Sequence, residues 1–174
     1  MIYFVRHGET DFNKYDISQG QLETSLNSLG LEQAQEIAQK LKDFKFDVVY
    51  CSTLTRAKQT MQFINAYHNL PVNYDARLME VSKGILQGQK NPQELYDKFF
   101  SDPHKYGGET EEDVVNRIYE FLSDIEKYKG KNILIVGHGG IHKYFDFCLK
   151  GKDIKKEKLT LTRMKNCEIV EFEF

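Results

Sequence analysis

Two arginines and two histidines stand where short apolar runs give way to polar turns: Arg6-His7-Gly8, Ser52-Thr53-Leu54-Thr55-Arg56 and His138-Gly139-Gly140. If those runs are parallel strands of one sheet, ligands bind beyond their carboxyl ends, where the following helices also aim their N-termini. The four side chains then share one rim and form a positive pocket suited to a small dianion such as a phosphoryl group. Arginine supplies fixed, planar donors that do not deprotonate at working pH. A histidine among guanidinium groups resists a second positive charge, so it stays neutral with one ring nitrogen open to attack phosphorus. The chemistry this points to is phosphoryl transfer through a phosphohistidine. Arg6, Arg56, His138 and backbone amides would meet the equatorial oxygens, and a proton donor would serve the leaving oxygen.

The elements that must hold these groups are legible as alternating strands and helices. Ile2 to Val5, Asp47 to Cys51 and Lys131 to Gly137 read as buried strands, and Cys167 to Phe174 alternates like a half-exposed final strand. A first helix sets Ala34, Ile37, Ala38, Leu41 and Phe44 on one stripe, with Asn27 as N-cap. A second, from about Leu54 to Tyr67, buries Ala57, Met61 and Ile64. A third opens on the capping-box-like Thr110-Glu111-Glu112-Asp113 and carries Val114, Ile118, Phe121, Leu122 and Ile125 on one side. A fourth, 139–149, follows the third strand directly. This order implies an α/β fold: a three-layer α/β/α sandwich whose mostly parallel central sheet carries helices on both faces. Pro71 to Gly108 has weaker periodicity, contains Pro92 and Pro103, and carries the exposed-looking Tyr96, Phe99, Phe100 and Tyr106. It reads as an excursion over the sheet edge, about 81–108 forming either a cap over the site or a plain surface insertion.

Composition narrows the alternatives. A chain of 174 residues with 40% hydrophobic and 29% charged content fits one domain, 1–174. No run approaches the ~18 apolar residues of a membrane span, and Arg6 interrupts the N-terminus too early for a signal peptide. A net charge of −2 denies the chain a general attraction for nucleic acid. Cys51, Cys148 and Cys167 are odd in number and far apart, so no disulfide framework or thiolate metal site is indicated and a reducing cytoplasm is expected. His138 and His142 are spaced i, i+4, but no acidic or cysteine ligand accompanies them. No metal and no cofactor are expected, and His142 reads as an exposed helix residue. Gly137 and Gly139 hint at a dinucleotide loop, yet His142 stands where its third glycine belongs. Lys150 to Lys165, diluted by Asp153 and Glu157, reads as a solvated face, and oligomeric state is left open.

The motifs as an ordered set resemble the histidine phosphatase superfamily, the phosphoglycerate-mutase-like proteins, in its small phosphatase branch. Arg6-His7-Gly8-Glu9-Thr10 resembles the family signature, and Gln19-Gly20, Thr24-Ser25-Leu26-Asn27, Gly30 and Gln33-Ala34 resemble its next segment. Ser52 to Thr60, Gly107-Gly108-Glu109-Thr110, Val136 to Gly140 and Asn166-Cys167 follow in the family's order. The resemblance implies that His7 is the phosphoacceptor, with Arg6, Arg56 and His138 around the phosphoryl oxygens. It also implies that Asn13 contacts phosphate, that Gln19, Gly20 and the Gly139 amide line the pocket, and that Glu80 protonates the leaving group. Glu80 must then hold a proton at the start, which burial favours against the pull of nearby arginines. Gly84-Ile85-Leu86-Gln87-Gly88 departs from the family's G-x-W-E-G, which alters the pocket wall, and Glu23 and Ser25 replace the usual aspartate and proline.

The implied activity is metal-independent hydrolysis of a small phosphorylated metabolite. Related mutases place an arginine-bearing segment after the acid, whereas Val81 to Gly108 offers only Lys83, Lys90, Lys98 and Lys105. Mutase-type transfer is therefore the second reading, and a phosphate-binding regulatory module without turnover is the third.

Overall fold

The computed structural model describes residues 1–90, 93–159 and 164–174, so Pro92 and part of the lysine-rich stretch lie outside the described residues. Five strands form one sheet: β1 (Ile2–Arg6), β2 (Val48–Ser52), β3 (Val72–Asp75), β4 (Ile133–Gly137) and β5 (Ile169–Phe172). Their order is β3-β2-β4-β1-β5. The first four run parallel, and β5 joins β1 antiparallel. The helices are α1 (Asp11–Lys14), α2 (Ser28–Leu41), α3 (Thr55–His68), α4 (Gln93–Ser101), α5 (Glu111–Ile125) and α6 (His142–Leu149).

Strand periodicity builds the three layers. Successive side chains point to opposite faces, so Ile2, Phe4, Ile133 and Ile135 enter the core shared with Val114, Ile118 and Phe121 of α5 and Phe145 of α6. Val5, Leu134, Val136, Val49 and Cys51 enter the other core, with Ile37 and Leu41 of α2 and Met61 and Ile64 of α3. A parallel sheet covered on both sides needs apolar residues at every position, and β4 is buried at all five. This is the expected α/β/α sandwich.

The helix starts follow their local signals. The Asn27 side chain accepts from Gly30 N at 2.8 Å, and Thr110 and Asp113 form the reciprocal capping box that opens α5.

Several details depart from the sequence reading. α2 ends at Leu41, and Phe44 lies beyond it, 42% exposed, with its ring edge-on to Tyr3. α6 begins at His142 rather than 139, because Gly139 and Gly140 belong to the turn after β4. His142 is buried, not exposed: its Nδ1 lies 2.6 Å from the Gly139 carbonyl oxygen. The segment after Pro71 contributes the edge strand β3, whose end residues are half-buried and whose middle two, Asn73 and Tyr74, are exposed, so it carries no alternation. Of the aromatics read as exposed, Phe100 is, but Phe99 is buried against Gly108. Residues 81–108 close on themselves at the base through a Lys83–Gly108 bridge and the Glu109 N to Ser82 O bond at 3.0 Å. Among the described residues, no helix is long and apolar enough to cross a membrane.

Candidate active site

The register of β1 against β4 sets Arg6 beside Gly137, so the residues that follow, His7 and His138, emerge side by side at the carboxyl edge. Their ring centroids are 5.1 Å apart, and both side chains are buried. The His7 ring is held in one tautomer. Its Nδ1 lies 2.7 Å from the Gly8 carbonyl oxygen, which can only accept, so Nδ1 carries the proton. Its Nε2 faces Arg56 Nε at 3.3 Å, a group that can only donate, so Nε2 presents a lone pair. Burial is the leading cause that holds His7 far below the usual imidazole range, with the charges of Arg56 and then Arg6 adding to it. His138 is lowered in the same way, first by burial, then by Arg56, His7, Arg6 and Arg117. Dehydration thus does more than the guanidinium charges to which the sequence reading gives first place.

Arg56, on the first turn of α3, has no exposed surface. Its Nη1 donates to Leu22 O at 2.8 Å and Thr24 Oγ1 at 3.2 Å, and its Nη2 donates to Gly20 O at 2.8 Å. One guanidinium therefore ties the 20–24 loop to the rim and still directs Nε at His7. Burial brings Arg56 down to about 10, while Glu80 and Glu23 pull it up; it remains charged at neutral pH. Gly20 adopts φ +50°, and a Cβ there would meet the Gln87 side chain at 2.1 Å, so this turn needs glycine. Buried Gln19 accepts from Thr24 Oγ1 at 2.8 Å. Asn13 uses its Oδ1 to accept from Thr10 N at 3.2 Å and Asn166 Nδ2 at 3.2 Å, which leaves its amide nitrogen as the atom it can offer a ligand. Arg6 donates through Nη1 to Met164 O, and a Cβ on Gly139 would lie 3.0 Å from Arg6 Nε.

Glu80 joins this rim from the segment after β3. Its Oε2 accepts from Gly140 N at 2.9 Å and its Oε1 from Val81 N at 2.9 Å. The contact with Gly140 puts the carboxyl beside the His138 turn. Its backbone is fastened from behind: Gln21 Nε2 donates to Glu80 O at 3.0 Å, and Arg117 of α5 reaches the same oxygen at 3.4 Å. Arg117 is itself paired with Glu109 at 2.7 Å, and Glu109 accepts from Ser82 N at 2.7 Å.

The nine residues singled out in the sequence fall around this one edge, though they engage differently. His7, His138, Arg56 and Glu80 are joined by direct contacts or close charge coupling. Asn13, on the short helix α1, is braced by Asn166, Gln19 and Gly20 belong to the loop that Arg56 braces, and Arg6 and Gly139 flank them. Sequence reasoning overlooked the residues that hold the groups in place. Ser52 lies 2.8 Å from His138 Nε2. Thr60 accepts from Gly8 N at 3.0 Å, and Asn166 donates to His7 O at 3.1 Å. Gln21, Glu109 and Arg117 support Glu80. Ser52, Thr60, Glu109 and Asn166 stand within the motifs, which is the signal that could have found them; Gln21 and Arg117 carry no local signal. Among the described residues, no group of three or more histidine, cysteine or acidic residues is placed to hold a metal ion.

Comparison with known proteins identifies the family. Residues 2–174 match the family model described as histidine phosphatase superfamily (branch 1). The chain is 33% identical, over 99% of its length and 88% of the relative's, to the uncharacterized phosphatase PhoE of Bacillus subtilis. It is 38% identical, over 80% of its length and 64% of the relative's, to a metal-independent phosphoserine phosphatase of Arabidopsis thaliana. Among solved structures, a mycobacterial glucosyl-3-phosphoglycerate phosphatase complexed with VO3 superposes with a TM-score of 0.82 at 25% identity, covering 97% of this chain and 88% of that one.

Proposed function

Since the chain belongs to the histidine phosphatase superfamily, branch 1, and is a phosphatase, we propose that it hydrolyses a small phosphorylated metabolite through a phosphohistidine on His7. The observation that carries this reading is the His7 tautomer: Nδ1 donates to Gly8 O, and the Nε2 lone pair is turned toward the Arg56 guanidinium. In the first step Nε2 bonds to phosphorus, the ester P–O bond breaks, and Glu80 passes its proton to the leaving oxygen. In the second, Glu80 takes a proton from water as that water attacks phosphorus, and the P–N bond breaks to release phosphate. Arg6, Arg56, His138 and the Gly139 amide meet the equatorial oxygens, where charge is greatest in the transition state. Asn13, Gln19 and Gly20 line the pocket.

No metal is needed, because two fixed guanidinium groups and oriented N–H donors supply the positive field that a cation would otherwise provide. Relatives named for phosphoserine and glucosyl-3-phosphoglycerate support a small phosphate monoester as substrate.

Brief reaction with a 32P-labelled monoester, followed by denaturation, tests the central claim. The wild-type chain should retain acid-labile label, and His7→Ala should retain none, since the nitrogen that takes the phosphoryl group is then gone. Undiminished labelling of the variant would refute the assignment, and loss of turnover in chelator would refute the metal-free mechanism.

A further inference from the structure

Behind the cleft, at the end of β2, the Ser52 hydroxyl lies 2.8 Å from Nε2 of His138, and neither residue has exposed surface. The same oxygen accepts from Leu54 N, just ahead of α3, at 3.3 Å. The other ring nitrogen of His138, Nδ1, is buried and meets no hydrogen-bond partner among the described residues. Its ring is tilted at 59° to that of His7 across the cleft.

We propose that Ser52 sets the tautomer of His138: the hydroxyl donates to Nε2, the ring proton therefore sits on Nδ1, and Nδ1–H faces the phosphoryl group held against His7. Ser52 is a positioning residue in this arrangement, and His138 is the group that touches the ligand. The assignment rests on the reading of this cleft as the phosphoryl site.

Proton bookkeeping favours this direction over its reverse. The described residues offer the Ser52 hydroxyl proton no acceptor other than His138 Nε2, and a buried donor without one is costly. With the ring proton on Nε2 instead, that hydroxyl proton would be stranded, and Nδ1 would turn a bare lone pair toward anionic oxygens. With the proton on Nδ1, every donor in the relay from Leu54 N–H through Ser52 O–H to His138 has a partner once an anion is bound. The relay matters because the ring holds a single proton: burial and the surrounding arginines keep it neutral, so donor and lone pair compete for the two nitrogens.

Nitrogen-15 NMR of the ring nitrogens in the resting protein at neutral pH reads this directly, with His138→Gln identifying the signals. The expected result is a protonated Nδ1 and a bare, accepting Nε2; a protonated Nε2 overturns the proposal. In Ser52→Ala the proton should redistribute toward Nε2, and inorganic phosphate, measured by calorimetry, should bind about tenfold more weakly or worse, as expected for the loss of one donor to a charged group. An unchanged tautomer with unchanged phosphate affinity in that variant also overturns it. The wild-type spectrum needs neither turnover nor a substituted chain, so its outcome is independent of the labelling experiment at His7.

Discussion

At the residue scale, one neutral imidazole and one carboxyl divide the proposed work. His7 keeps its nucleophilic nitrogen bare because a carbonyl captures the proton of the other nitrogen and burial excludes a second proton. Glu80 has both oxygens engaged by backbone N–H groups, which fix the carboxyl in place while each oxygen keeps a further lone-pair direction for the proton it exchanges. Glu80→Gln keeps the size of the side chain and removes that proton, while its amide nitrogen can no longer accept one of the two N–H bonds. Turnover of alkyl phosphates should fall roughly 10²–10⁴-fold, whereas p-nitrophenyl phosphate, whose leaving group needs little protonation, should lose far less. Equal losses on both substrates in steady-state assays would remove Glu80 from the proton-donor role.

At the element scale, the site is assembled by turns that tolerate no added bulk. The loop after β1 lies against the start of α2: a Cβ on Gly30 would fall 2.0 Å from Glu9 O, and one on Gly8 would fall 2.4 Å from Gly30 O. These are backbone contacts that no rotamer change relieves. Gly30→Ala should therefore cost about 1–3 kcal/mol of stability, read as a lower denaturation midpoint. The turn between β4 and α6 is equally tight, since a Cβ on Gly140 would lie 2.1 Å from Glu80 Oε1. Gly140→Ala should push the carboxyl off the Gly140 amide and lower turnover of alkyl phosphates by about tenfold or more, as displacement by an ångström commonly does. If the variant keeps its fold and full turnover, Glu80 is not held by this turn. α3 shows a different economy. Its N-cap, Leu54, has no capping side chain, and the task passes to Ser52 and to Glu23, whose carboxylate accepts from Thr55 N at 2.9 Å. Glu23 thus serves the start of α3.

At the scale of the whole molecule, two buried neutral histidines couple the cleft to global stability. Folding lowers the proton affinity of His7 and His138 below the ordinary value of 6.5, so below that pH the unfolded chain binds more protons than the folded one. Their stability contribution is therefore complete above about pH 6.5 and is lost as pH falls, by up to about 1.4 kcal/mol per histidine per pH unit. Exposed His104, raised by Asp113, acts in the opposite sense and is screened by solvent. Urea denaturation at pH 7.5 and 5.5 should show a marked loss at the lower pH, and a His7→Gln, His138→Gln double variant should show a flatter dependence. An identical slope in both proteins would mean that neither histidine is kept neutral by the fold.

Much of this architecture is local information. The apolar runs at 2–5 and 133–136, the Asn27 and Thr110 caps and the glycines after the strands declare themselves through side-chain period, hydrogen bonding to the nearest turn, and backbone freedom. They place His7 and His138 at strand ends before any coordinates are known. Other features depend on what arrives from elsewhere in the chain. β3 is a strand because β2 offers it an edge, His142 is buried by the turn that precedes α6, and Phe44 finds Tyr3 after its helix has ended. The 86-position separation of Ser52 and His138 in the sequence carries no periodic signal that joins the two. Pairing across such a distance is decided by strand order and register, which arise from the packing of both sheet faces at once, and only the folded chain brings that hydroxyl to that ring.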